Sequence, residues 1–499
     1  MTMPDKSKAP LFEAMLAHHR SGAASFHVPG HKSGNGVMKE AEPFLQSVMS
    51  IDYTEITGLD DLHHAEGAIW EAEQLAADCF GAEETYFLVG GSTVGNLAMI
   101  SSVCDPDDLI LVQRNVHKSV IHGLMLAGAR AIFISPGVDP ASGIATGVVL
   151  EDVGQALSQF PEAKALFLTN PNYYGMGIDL QPFAALMHEH GKLLLVDEAH
   201  GAHFGFHDEL PQSALASGAD AVVQSTHKML TAMTMGAMLH VQGPRIDREA
   251  IKQRLAMLQS SSPSYPILAS LDLARKRMHT EGRDWVEQGL HIVKAFRTRL
   301  RGLQAIGVHS ERFPDVQEGG YTTADPFKIS VYDKTGTLTG SMLQAQLESH
   351  GCFVEMADSR HVLLVFTPAT SVEDANRLYG ALTNINFNVQ LQKQELQVPI
   401  SNISILPPNT QISSPIAFSQ RNLRKIGFQE CHVSLVAVQE AIGSRSAEMV
   451  IPYPPGIPYL YPGEIITSSV AAALQQLAEG GIRFQGTAFG QTHKLKIYT

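Results

Sequence analysis

Seven short apolar runs, Thr85–Val89, Leu109–Gln113, Ala131–Ser135, Ala165–Thr169, Leu193–Asp197, Ala221–Ser225 and Ala237–Val241, recur through the first half of the chain, with helix-like stretches between most of them. A strand with one face in water alternates apolar and polar residues. Most of these runs are continuously apolar, so they read as parallel strands covered on both faces. Ahead of them, EGAIWEAEQLAADCFG places Ile69, Ala72, Leu75, Ala76, Cys79 and Phe80 at helical spacing, with Gly81 as the C-cap. Further helices are expected over Asn96–Cys104, His117–Ala129, Pro182–His190 and Ser213–Ser217. That alternation makes repeated βαβ units, hence an α/β fold with a doubly wound, mostly parallel sheet of about seven strands.

The 499 residues suffice for about three units at roughly 150 residues each. The patterning divides them into residues 1–280, an N-terminal arm and the sheet; 281–390, a small α/β domain; and 391–499, a C-terminal domain. A helical stretch from about Leu271 to Leu303 leads out of the sheet, and its Arg275, Lys276, Arg277, Arg297, Arg299 and Arg301 read as a solvated face. In QVPISNISILPPNTQISSPIAFSQR, Pro, Ser and Asn interrupt every periodic pattern, which marks a linker or irregular cover.

Asp and Glu number 50 against 36 Lys and Arg, a net charge of −14. Phosphate backbones and anionic membrane surfaces are bound by clustered Lys and Arg, and the sequence shows no such run, so no nucleic acid or membrane partner is expected and cationic ligands fit better. Apolar runs such as Leu193–Val196 fall far short of the roughly 18 residues of a membrane span. The start, MTMPDKSKAPLFEAMLAHHR, lacks the apolar core and cleavage site of a secretory signal, so a cytoplasmic location is expected. Cys79, Cys104, Cys352 and Cys431 form no C-x-x-C pair and are expected to be reduced and mostly buried.

The strongest chemical signal is a pair of strand ends. LLLVDEAH ends a strand in Asp197, and ADAVVQSTHK ends the next in Ser225, Thr226, His227 and Lys228. Ligands of an open parallel sheet bind outside the carboxyl ends of its strands, so acid and lysine face one crevice. Pyridoxal phosphate needs both, a lysine to hold its aldehyde and a carboxylate to keep its ring nitrogen protonated as an electron sink. After TYFLV, the turn Gly90–Gly91–Ser92–Thr93 runs into a helix and offers close backbone approach, hydroxyl donors and a helix N-terminus to a phosphate. In RNVHKS, His117 follows its strand on the same rim and could stack on a ring or cap the following helix. Asp-Glu-Ala-His alone could also be the magnesium motif of a helicase-type ATPase, but the sequence holds no G-x-x-x-x-G-K-[ST] loop. The histidines show no metal spacing, and no metal site is expected.

These motifs, together with FHVPGHKSG, TGLDDLHHAEGAIWEAE, NPNYYGMGIDL, SSSPSYPILASLD and PPGIPYLYPGE, resemble the orn/lys/arg family of pyridoxal-phosphate decarboxylases, which have the aspartate-aminotransferase fold, or fold type I. The resemblance implies pyridoxal 5'-phosphate as cofactor, Lys228 as the Schiff-base lysine, Asp197 on the ring nitrogen and His117 stacked on the ring. It implies a phosphate held by Ser92, Thr93, Ser225 and His227, and a ring contact from His200, where some members carry Trp. It further implies that Ser260–Tyr265 contributes to the interface of a homodimer or higher homo-oligomer, near the partner's cofactor. The longer members begin with a wing domain. Here FHVPGHKSG starts at residue 26, so wing and wing-built decamers are expected to be missing.

The expected reaction is α-decarboxylation of a basic amino acid, arginine, lysine or ornithine, feeding polyamine synthesis, with Lys228 or His227 returning the proton. A cationic tail needs an acid, and Glu355 and Asp358 in CFVEMAD are the candidates. Arginine is favoured because two carboxylates suit a planar guanidinium. An aminotransferase or other fold type I lyase is the main alternative, because Arg360 stands in the general region where aminotransferases clamp a substrate carboxylate. A non-catalytic, antizyme-like amine binder is the other.

Overall fold

The computed structural model describes residues 5–309, 321–392, 411–418, 432–453, 457–479 and 482–499. Its large sheet is built from β1 (Glu84–Leu88), β2 (Leu109–Gln113), β3 (Arg130–Ile134), β4 (Ala165–Thr169), β5 (Leu193–Asp197), β6 (Ala221–Gln224) and β7 (Ala237–Val241). In space these run β1-β7-β6-β5-β4-β2-β3, and a two-residue strand, Ile416–Ala417, extends the edge beside β3. The central strands pair in parallel. β7 pairs antiparallel with both β6 and β1, so β1 shares the direction of the parallel set. The sheet is thus mostly parallel, as expected, and the exception is β7, which is buried between neighbours and so is as apolar as they are.

Alternate residues of these strands enter two different cores. Leu109, Leu111, Leu166, Leu168, Leu194 and Val196 join one, while Ile110, Val112, Ala165, Phe167 and Leu195 join the other. Successive side chains point to opposite faces, so both parities must be apolar when helices cover both sides. The covering helices include α1 (Ala68–Phe80), α2 (Gly91–Val103), α3 (Lys118–Ala127), α4 (Leu150–Gln159), α5 (Gln181–Glu189), the single turn α6 (Thr226–Met229) and α7 (Arg248–Leu258). Gly81 does close α1 in the left-handed conformation, at φ +77°. Ser213–Ser217 is not a helix but a turn that stops at Gly218, φ +96°, with the Ala214 N–H held by Glu198.

α8 (Tyr265–Leu300) carries the chain out of the sheet. Its basic residues do not form one solvated face. Arg275 is fully buried, bonded to the Asp272 carboxylate and to the carbonyls of Lys6 and Lys8, because the N-terminal arm lies over this turn. Arg277 lies over the Trp285 ring and Arg297 donates to Pro326 and Lys328 carbonyls, while Arg299 and Arg301 are exposed. Beyond α8, β8 (Ile306–His309), β9 (Lys328–Asp333), β10 (Met356–Ala357) and β11 (His361–Val365) make an antiparallel sheet ordered β10-β11-β9-β8. Its inner residues Ile329, Val331, Val362 and Leu364 share a core with one face of the large sheet.

Of the expected linker, residues 411–418 are described and supply the edge strand; the rest lies outside the described residues. The C-terminal segment has its own core around Tyr459, Leu474 and Phe489. It docks on the large domain through Arg114, which pairs with both Glu464 oxygens, donates to the Pro458 and Tyr459 carbonyls and stacks on Tyr461 at 3.7 Å. The described part of the PPGIPYLYPGE motif thus acts as a clasp beside the strand end that carries His117. Cys79, Cys104 and Cys352 are free thiols; Cys431 lies outside the described residues. No helix among the described residues is long and apolar enough to cross a membrane.

Candidate active site

The carboxyl ends of β1, β2, β5 and β6 share one rim, and the reversed β7 begins there. At that rim Asp197 ends β5. Asn96 Nδ2 donates to its Oδ2 at 2.8 Å and the Ala199 N–H to its Oδ1 at 3.0 Å. Burial raises the Asp197 pKa, opposed by the Asn96 bond and the charge of Lys228. Lys228 sits in α6, directly after β6. Burial lowers its amine pKa, against the charges of Asp197 and Glu355. Burial thus opposes the charged form of each group, as in a poised acid and amine in one crevice.

The start of α2 lies on the same rim. α2 begins at Gly91, φ +71°, with Gly90 before it and no capping side chain, so its first N–H groups face outward. The Gly91 N–H is taken by the Met235 carbonyl. Ser92 is half-buried and Thr93 exposed on the first turn. Gly95 brings the helix against the sheet, since an added Cβ would meet Val223 Cγ2 at 2.4 Å. At the end of β6, the Ser225 hydroxyl is buried with no hydrogen-bond partner. A buried hydroxyl rarely goes unpaired unless a ligand completes it.

His117 is the N-cap of α3. Its Nδ1 accepts from the Ser119 N–H and lies 2.8 Å from the Ser119 hydroxyl, which in turn accepts from Asn96. One polar chain therefore links His117 to Asp197. Burial, then the charges of Lys228, Lys118 and His122, lowers the His117 pKa to about 4, so the ring is neutral near neutral pH. His227 Nδ1 lies 2.9 Å from the Gly236 carbonyl. His200 Nε2 lies 3.1 Å from Lys228 Nζ, and its ring is 4.7 Å from that of Tyr173.

The two tail acids part company. Glu355 is exposed, and its charge reaches both Lys228 and Lys328. Asp358 is consumed locally: it accepts from the Tyr174 hydroxyl at 2.6 Å and from the Arg360 and His361 N–H groups, with the His361 ring beside it. The Asp358 carboxylate is thus taken up in closing the β10–β11 turn. Arg360 lies over Tyr332 and donates to the Ala141 carbonyl. Tyr265, expected at a subunit contact, buries its ring within its own chain and donates its hydroxyl to Asp60 O, whereas Ser260–Ser262 are exposed.

Two family models match the chain: Orn/Lys/Arg decarboxylase, major domain, over residues 9–374, and Orn/Lys/Arg decarboxylase, C-terminal domain, over residues 424–489. The chain belongs to the Orn/Lys/Arg decarboxylase family. Among its curated relatives, the uncharacterized protein YaaO of Bacillus subtilis (strain 168) is 39% identical over 495 residues, covering 98% of each chain. An arginine decarboxylase of the same strain is 37% identical over 493 residues, again covering 98% of each. Among solved structures, the Francisella novicida lysine decarboxylase LdcF has the same fold, with a TM-score of 0.82 at 22% identity, covering 98% of this chain and 80% of that one.

Sequence reasoning about this decarboxylase missed four residues of the site: Asn96, Ser119, Tyr173 and Lys328. Ser119 and Tyr173 lie within the quoted motifs RNVHKS and NPNYYGMGIDL, and Asn96 opens the helix expected after the glycine turn; those positions were the available signal. Lys328 carries no local signal at all. It is an isolated lysine opening β9, brought in by the packing of the small sheet on the large one.

Proposed function

We propose that this chain binds pyridoxal 5'-phosphate and decarboxylates a basic amino acid, with arginine preferred. The observation that carries the reading is the convergence of a buried carboxyl, a half-buried lysine and an uncapped helix N-terminus at one rim. The residues fit the group: the unpartnered Ser225 hydroxyl and the open first turn of α2 suit a phosphate, and Asp197 suits a cationic ring nitrogen. When bound, the cofactor supplies an aldehyde for a lysine amine and an electron sink for the bond that breaks. Lys228 would hold the aldehyde, Asp197 the ring proton, and Ser225, Ser92, Thr93 and the α2 N–H groups the phosphate. His117, at that rim, would face the ring, and its neutrality would avoid repelling a pyridinium.

His227 and Lys228 were the two candidates to return the proton after carbon dioxide leaves. A His227 ring that donates Nδ1–H to Gly236 presents a lone pair at Nε2 and so can accept rather than donate; burial lowers its pKa further. Lys228 is the better donor. An aminotransferase would hold the substrate carboxylate with a cation, and Arg360, the candidate for that role, is committed to Tyr332 and Ala141. Glu355 is the acid for the cationic tail, and the Bacillus subtilis relative named arginine decarboxylase supports arginine over shorter cations. The active unit is a homodimer: Phe26, Val28, Met38 and Phe44 expose 95, 62, 67 and 79% of their surface along one N-terminal segment, apolar area that a second copy would cover. Carbon dioxide and keto acid should be measured in parallel on arginine, lysine and ornithine. Agmatine from arginine at about tenfold the efficiency of the others is expected; stoichiometric keto acid would make it an aminotransferase, and no visible absorbance band on adding the cofactor would make it a binder.

A further inference from the structure

His200 stands between two lysines. Its Nε2 lies 3.1 Å from Lys228 Nζ and its Nδ1 lies 3.0 Å from Lys328 Nζ. Lys328 is 1% exposed, and its stem fills the space beside Gly175, where an added Cβ would meet Lys328 Cγ at 2.7 Å. A neutral imidazole has one N–H and one lone pair, and an ammonium can only donate. The ring therefore accepts from one lysine and donates to the other, and the lysine that receives the N–H is an uncharged amine. Burial, with the charges of Lys228 and Lys328 next, holds His200 far below the usual histidine range, so the doubly protonated ring is not a competitor.

Two states with the same proton count remain. In one, Lys328 is the ammonium donating to Nδ1, and Nε2–H donates to an uncharged Lys228. In the other, Lys328 has passed a proton to Nδ1, Nε2 has passed its own to Lys228, and the positive charge has crossed the ring. The surrounding charges choose between them. Asp325 and Glu355 face Lys328; Asp197 and Glu355 face Lys228; His117 and His203 face His200. Asp325 is bonded to His203 through Oδ1 and keeps a buried Oδ2 with no hydrogen-bond partner, which makes it a counter-charge for Lys328. Asp197 is already held by Asn96 and Ala199. The charge is therefore favoured on Lys328.

We propose that Lys328 is a positioning residue which, through His200, keeps Lys228 an uncharged amine and exchanges one proton with it across the imidazole. An uncharged amine is what attack on an aldehyde requires, so the inference rests on the reading of Lys228 as the cofactor lysine. Burial brings the Lys328 amine down to about 8, against Asp325 and Glu355, so its proton is exchangeable within the working range.

The test uses the full chain freed of cofactor. Acetylation of Lys228 by acetic anhydride is followed by peptide mass spectrometry across pH, the midpoint reporting the uncharged fraction. In Lys328→Met the midpoint should rise by about one pH unit, since a like charge and the ring's donated N–H are both lost; Lys328→Arg, a cation that still donates to Nδ1, should stay near wild type. A lysine that merely fills space would leave the Lys328→Met midpoint unmoved, and that result, or a downward shift, overturns the proposal. Should circular dichroism show Lys328→Met unfolded, His200→Phe reads the same bridge and carries the same two outcomes. Borohydride reduction of the full chain with pyridoxal phosphate, followed by peptide mapping, tests Lys228 separately. Label elsewhere overturns the proposed function; label on Lys228 with an unmoved midpoint overturns the bridge alone.

Discussion

Asp197 and Glu198 are neighbours at the end of β5, both buried, and point to opposite sides of the sheet. Burial raises the pKa of each, that of Glu198 to about 8. Glu198 faces inward: it accepts from the Ala214 N–H at 2.8 Å and from Gln224 Nε2 at 2.7 Å, Gln224 Oε1 lies 3.2 Å from His240 Nε2, and His240 Nδ1 meets the Thr85 hydroxyl at 2.8 Å. That network closes within the protein, with burial driving His240 to about 3, so both ends are uncharged near neutral pH. Asp197 faces the rim, where Lys228 pulls against burial and lone pairs remain for one more partner. Burial alone therefore does not mark a functional acid. A cation within reach and an unfinished set of hydrogen bonds do.

The comparison breaks first at the lysine. Lys228→Ala should lower carbon dioxide release by on the order of a thousandfold or more while leaving the fold intact, because it removes the covalent anchor and little apolar packing; wild-type turnover in a folded variant rules Lys228 out. Next, Asp197→Asn should bind cofactor yet lose on the order of a hundredfold or more in kcat, as a neutral amide cannot hold a ring proton by charge. Near-normal turnover there would transfer the role to another acid. Smaller again is Glu355→Gln, expected to raise KM for arginine and cost ~1.5–3 kcal/mol in kcat/KM, the worth of a hydrogen bond to a charged group. Asp358→Asn serves as its foil: it should lower the thermal midpoint by loosening the β10–β11 turn, with KM for arginine unchanged. The reverse pattern would restore Asp358 to the substrate.

What could be read from the sequence was whatever lies within one strand–loop–helix unit. Asp197, Lys228 and the Gly90–Gly91 turn announce themselves because each follows a run whose burial on both faces leaves an unmistakable apolar signature, and the resemblance assigned their roles. The antiparallel β7 was illegible, since direction leaves no trace in a strand buried on both faces. Arg275 was misread for a related reason: its ion pair with Asp272 is local, but the cover that buries it comes from Lys6–Lys8, at the far end of the chain. Lys328, like Glu355, reaches the site only through the packing of the small sheet against the large one, and no periodicity reports such a meeting. Glu355 and Asp358, close in sequence, do not share a direction across a tight turn, and Asp358 bonds within its own turn.

The smallest effect is the sharpest test of the contrast. Glu198→Gln should leave kcat/KM near wild type. An uncharged amide replaces an acid that is already protonated, the new side chain keeps its oxygen on the Ala214 N–H, and Gln224 turns over to accept from the introduced amide while His240 shifts tautomer. The pH dependence of stability then reads the charge directly. The folded pKa of Glu198, about 8, stands above the ordinary 4.5, so between those values the folded state binds the extra proton. Wild-type stability from this group is therefore full below pH 4.5 and is lost as pH rises toward 8, at up to about 1.4 kcal/mol per pH unit. The variant lacks that slope. Urea unfolding of both proteins from about pH 5 to about pH 9 should show the wild-type advantage shrinking with pH and levelling near the folded pKa. A difference that stays flat, or grows with pH, would mean that Glu198 is ionised in the folded protein and that the two neighbouring acids are not distinguished in the way their hydrogen bonds imply.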